Sequence, residues 1–83
     1  MALKFDLAKL EEIFSKDFTS SVYNILADEY LKNKDINRAY TVVKIGQEHH
    51  PSDVLGKYTL AKIYLLKNEI TKSEKLLETV LAR

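Results

Sequence analysis

An all-α fold, an α-α superhelix of about five helices stacked as antiparallel pairs, is what this sequence predicts. Three observations carry it. The chain of 83 residues holds only two glycines and one proline, so turns must be few and the elements between them long. Apolar residues recur at steps of three and four along five successive segments. Sliding the chain against itself until Leu26 meets Leu60 also sets Ala27 on Ala61, Tyr30 on Tyr64, Leu31 on Leu65, Asp35 on Glu69, Ile36 on Ile70 and Val43 on Leu77. One constant offset of this size marks a stacked helical repeat.

The elements follow in order. Leu3, Leu7, Leu10, Ile13 and Phe14 form the apolar stripe of a first helix. Asp6 is placed to cap it, with Phe5 packing on Leu10 as a hydrophobic staple. The stretch SKDFTSS breaks this helix, and Thr19 or Ser20 offers a cap for the next. Val22, Tyr23, Leu26, Ala27 and Tyr30 line that second helix. KNKD ends it, and Asp35 caps a third helix carrying Ile36, Ala39, Tyr40, Val43 and Gly46, which stops before Pro51. Ser52 or Asp53 caps a fourth helix running through Leu66. After KNE, Thr71 and Glu74 have capping-box spacing, and Ile70, Ser73, Leu77, Val80 and Leu81 line a fifth. No β-hairpin signal interrupts the series.

Composition narrows the function. The length suits one domain, residues 1–83. Apolar residues make up 46% and charged residues 30%, a globular balance, and the absence of cysteine rules out disulfides and thiolate chemistry. Thirteen basic against twelve acidic residues leave a formal charge of +1, which argues against a nucleic-acid partner. MALKFDLAKLEE has no apolar run suited to a secretory leader, and no stretch is long enough to span a bilayer. The reading is a cytoplasmic protein without a membrane partner.

GQEHHPSD holds both histidines, His49 and His50. Adjacent helical residues point about 100° apart, so the two are poorly placed to share one metal ion. At a helix C-terminus an imidazole meets the negative end of the helix dipole, and the pair reads as the end of the third helix. No nucleophile, carboxylate pair or glycine-rich phosphate loop can be assembled. The chain is therefore read as non-enzymatic, with no catalytic residue, no cofactor and no metal site.

The repeating residues resemble the tetratricopeptide repeat family. Its pattern is an aromatic, then Leu and a small residue, then Tyr, later Ala and a large apolar residue, then Pro. Tyr23, Leu26, Ala27, Tyr30, Ala39, Val43 and Pro51 fill it once. Lys57, Leu60, Ala61, Tyr64, Ser73 and Leu77 fill it again, departing at Lys57, where neighbouring Tyr58 is expected to supply the ring. Residues 1–18 then form an N-terminal capping helix, 20–53 the first repeat and 54–83 a second, truncated one. Gly46 costs about 1 kcal/mol in helix propensity, and a small residue there is expected where the next helix packs directly on it.

The resemblance implies a concave groove, lined by the first helix of each repeat, that binds a peptide or protein segment. Carried over residue by residue, it would present Ser21, Asn24, Asp28 and Leu31 from the first repeat and Leu55, Tyr58, Lys62 and Leu65 from the second. Chaperone-binding members hold a C-terminal carboxylate with a clamp of Lys and Asn. Asn24, Asp28 and Thr59 stand at those places here, without the lysine and with an acid that would repel a carboxylate, so that function is not expected. The alternative reading is a self-assembly element, a homodimer or a fragment of a longer array. Leu76, Leu77, Val80 and Leu81 span too wide an arc to face inward together and are its expected contact.

Overall fold

The computed structural model describes residues 6–81, and these form five helices: α1 (Leu7–Lys16), α2 (Tyr23–Lys32), α3 (Ile36–His49), α4 (Val54–Leu66) and α5 (Ile70–Leu81). No strand occurs among the described residues. Each helix packs antiparallel on the one before it. α2 also meets α4 directly, whereas among the described residues no close backbone approach joins α3 to α5. The result is two layers, with α2 and α4 side by side and an open cleft between α3 and α5.

The core is what the helical stripes dictate. Leu10 and Phe14 from α1 are buried, with Tyr23, Leu26, Ala27 and Tyr30 from α2, Ala39, Val42 and Val43 from α3, and Leu60 and Ile63 from α4. A fully buried leucine such as Leu26 contributes about 1.5–3 kcal/mol by leaving water. Ala27 and Ala61 are buried where neighbouring helices come close. Ser73 stands at the same offset from Ala39 as Leu60 from Leu26. Its buried hydroxyl donates to the Ala61 carbonyl at 3.0 Å, which removes the penalty of an unpaired polar group in that place.

Three of the expected caps form. The carboxylates of Asp6, Asp35 and Asp53 accept from the backbone N–H of Ala8, Arg38 and Leu55. Two expectations fail. α2 begins at Tyr23 after Val22, and no side chain caps it. Ser20 instead accepts from Val22 N–H, while Asp17 takes both the N–H and the hydroxyl of Thr19, so these polar groups tighten the loop ahead of the helix. Thr71 lies inside α5, which starts at Ile70, so its spacing to Glu74 is not a capping box. Leu3 and Phe5, expected on the first helix, lie outside the described residues.

The turns after α2 and α4 are copies of one another. Lys34 and Asn68, which stand at the same offset as Leu26 and Leu60, have φ of 61° and 64°. Asp35 N–H donates to the Tyr30 carbonyl and Lys34 N–H to that of Leu31; Glu69 to Tyr64 and Asn68 to Leu65 repeat the pattern. This is the Schellman closure of a helix C-terminus, built here without glycine.

Both glycines of the chain serve one side chain instead. A Cβ on Gly46 would fall 2.2 Å from the Tyr23 ring, and one on Gly56 would fall 2.2 Å from the Tyr23 hydroxyl oxygen. The small residue at 46 is therefore required by the preceding helix, α2, and not by the next one as the sequence suggested. In the second half Lys57 replaces the ring and Val80 the glycine. Val80 is buried.

Candidate functional site

The surface that α2 and α4 share is fixed by a polar network beneath it. Tyr23, fully buried, donates its phenol O–H to Asp53 at 2.5 Å. Asn24 Nδ2 donates to the same carboxylate oxygen at 2.9 Å, and Gln47 Nε2 donates to the Tyr23 hydroxyl at 3.2 Å. Burial and the hydrogen bond to Asp53 push the Tyr23 phenol up to about 12. Burial alone would raise the Asp53 carboxyl, but hydrogen bonds from Tyr23, from the N–H groups of Gly56 and Leu55, and from Asn24 hold it below its ordinary value. Residues from α2, α3 and the start of α4 are thereby locked together.

His50 extends this network. Its ring stacks on Tyr23 with centroids 5.7 Å apart and planes 9° from parallel, and its Nε2 lies 2.6 Å from the Thr19 carbonyl. His50 caps α3 and His49 is its last residue, as the sequence predicts. The contact tying the end of α3 to the loop before α2 was not readable from the sequence. Among the described residues no group of three histidine or carboxylate side chains converges as a metal ligand set would.

Along α4, Leu55, Tyr58, Lys62 and Leu65 lie on one stripe, at steps of three and four. All four border one groove of about 400 Å³, together with Thr59, Ala61 and Leu77 of α5. Leu55 is 68% exposed and Leu65 52%. A second hollow continues from it and shares Leu55 and Thr59; it is bordered on α2 by Asn24 and Asp28 with Ile25, Glu29 and Lys32. Six of the eight groove residues expected from the sequence thus line two adjoining hollows.

The other two do not. Leu31 is half-buried against the core, and Ser21 precedes α2, exposed, on neither lining. Asn24 is committed to Asp53, and its buried Oδ1 has no hydrogen-bond partner among the described residues. Tyr58 opens onto the groove and does not substitute for the buried ring at Lys57. Leu77 is a groove residue that sequence reasoning placed elsewhere, and Thr59, read from the sequence only at a place of the clamp, borders both hollows. Asp28 sits 3.6 Å from Lys32 and 4.0 Å from Lys62. Exposed pairs of this kind add little to stability, and they leave the groove largely apolar with balanced charge at its edge.

The expected self-association residues divide. Leu76 is half-buried and packs on the core, Val80 is buried, Leu77 is half-buried, and Leu81 is 75% exposed. Val80 is therefore taken up by the fold of its own chain and withdrawn from any surface. No helix among the described residues is long and apolar enough to cross a membrane. No family model, curated protein or solved structure matches the chain.

Proposed function

We propose that this chain is a tetratricopeptide-type interaction module, non-enzymatic and cytoplasmic, that binds a peptide or protein segment along the α2–α4 surface. The observation that carries this reading is the α4 stripe. Leu55, Tyr58 and Leu65 stand exposed in one row on a helix that elsewhere buries Leu60, Ala61 and Ile63. Contiguous exposed apolar surface marks a contact site, and the concavity between α4, α5 and α2 gives an incoming segment walls as well as a floor. The duplicated turns at Lys34 and Asn68 support the division into two repeats. Peptides selected on the wild-type chain from a random displayed library test the reading. Leu55→Ser with Leu65→Ser, both exposed, should weaken their binding by about tenfold or more while leaving the melting transition in place. Undiminished binding by that variant would refute the groove.

Self-association is a second reading, and one observation favours it. Leu77 takes in the second repeat the place of Val43 in the first. α4 covers α3, and Val43 is fully buried, whereas Leu77 remains half-exposed and Leu81 open on the same helix. A second copy packing on this part of α5 would complete the burial. Leu77→Lys with Leu81→Lys should then convert a sedimenting dimer to a monomer. A wild type that is monomeric at high concentration would exclude the dimer.

A further inference from the structure

The cleft between α3 and α5, on the opposite side of α4 from the groove, has a different chemistry. It is a hollow of about 400 Å³ floored by Leu60, Tyr64 and Leu76 and bordered by Lys44 from α3 and by Lys72 and Lys75 from α5. Lys72 is paired with Glu69 at 2.9 Å. Lys44, Lys67 and Lys75 have no carboxylate within 4.0 Å among the described residues, although Glu48 and Glu78 follow Lys44 and Lys75 at helical spacing. Lysines on opposing walls of one cleft raise its potential and attract negative charge.

We propose that this cleft is a second docking surface, which takes an acidic segment of a partner protein carrying an apolar anchor. The lysine rim matches the acid, and the leucine floor matches the anchor. The rings argue against a nucleic acid. Tyr64 is engaged by Lys72, 5.7 Å from its centroid, and by Tyr40 at 6.1 Å, while Lys67 sits 4.8 Å over Tyr40. A single strand binds by stacking its bases on open aromatic faces, and a lysine already stands over each of these rings. The small net charge of +1 points the same way. The cleft shares no lining residue with the α2–α4 surface, so this inference stands independently of the groove.

The probe is a fluorescein-labelled synthetic peptide of glutamate pairs separated by leucines, titrated by anisotropy at physiological salt. Versions with lysine for glutamate and with glycine for leucine, and an oligothymidine, serve as comparators. The glutamate–leucine peptide should bind saturably and the lysine version should not. The glycine version should bind more weakly. Lys44→Glu with Lys75→Glu should reduce affinity about tenfold or more, Lys44→Gln with Lys75→Gln should reduce it less, and Leu55→Ser with Leu65→Ser should leave it unchanged. Melting curves matching wild type establish that the lysine variants are folded. Absence of saturable binding, binding indifferent to both lysine pairs, or oligothymidine binding as tightly as the peptide would each overturn the proposal.

Discussion

The Tyr23 hydroxyl donates to the Asp53 carboxylate, joining the first turn of α2 to the N-cap of α4. Asp53 thus holds two posts at once. One oxygen caps its own helix through Leu55 N–H, and the other receives Tyr23 and Asn24. Tyr23→Phe keeps the ring but removes that donor and the acceptor of Gln47, and it should cost about 1–3 kcal/mol in denaturant unfolding. The bond also shapes acid stability. The folded Asp53 pKa lies below its ordinary value of 3.8, so its contribution is complete above that value and is lost as pH falls through the lower, folded one. The loss on acidification should be smaller in Tyr23→Phe, measured as unfolding free energy against pH.

Gly46→Ala separates two physical arguments of opposite sign. Helix propensity alone favours alanine by about 1 kcal/mol. The new Cβ, however, would stand 2.2 Å from carbons of the Tyr23 ring, and that ring is fully buried with no room to retreat. Overpacking of this kind costs about 1–3 kcal/mol, so the variant should be less stable than wild type. In a Tyr23→Ala background the same substitution should become neutral or stabilising, and a double-mutant cycle reads the difference.

Much of the fold was legible because it rests on local rules. Helical periodicity located all five helices, and the aspartates that cap α1, α3 and α4 announce themselves by their position before an apolar stripe. The start of α2 was less so, since Thr19 and Ser20 are good capping residues that found partners within their own loop. The reason for Gly46 was hidden because it lies on another helix, in the ring of Tyr23. The groove was legible on α4, where one helix sets the stripe. It was not on α2, where Leu31 turned inward and Asn24 was claimed by Asp53. Leu77 was placed on a self-association surface because its own helix does not reveal the neighbouring hollow it borders.

Lys34 adopts a left-handed conformation, φ 61°, that an L-residue with a Cβ reaches at a cost of about 1–2 kcal/mol. Lys34→Gly should therefore raise stability by about 1 kcal/mol, less the entropy that glycine adds to the unfolded chain. Asn68→Gly should give a smaller gain, because asparagine tolerates this region better than lysine. Equilibrium unfolding of the two variants beside wild type checks both the sign and the order.

The tyrosines should set the alkaline limit. Tyr23 and Tyr30 are raised from 10.0 to about 12, each first by burial and then by a hydrogen bond to a carboxylate, Asp53 and Glu11 respectively. A folded pKa above the unfolded one adds stability that is whole below pH 10 and fades as pH rises through about 12. Phenolate absorbance should show Tyr23 and Tyr30 titrating late and together with unfolding. Tyr30→Phe should remove one of the late phenols.

The binding role of the α2–α4 surface is tested most directly by mapping a library-selected peptide on the isotope-labelled wild-type chain by NMR. The account predicts the largest shift changes at Asp28, Leu55, Tyr58, Lys62, Leu65 and Leu77, with Leu31 and the α1 surface unmoved. Changes centred on α1 or on the loop at residues 17–22, with the α4 stripe silent, would contradict it.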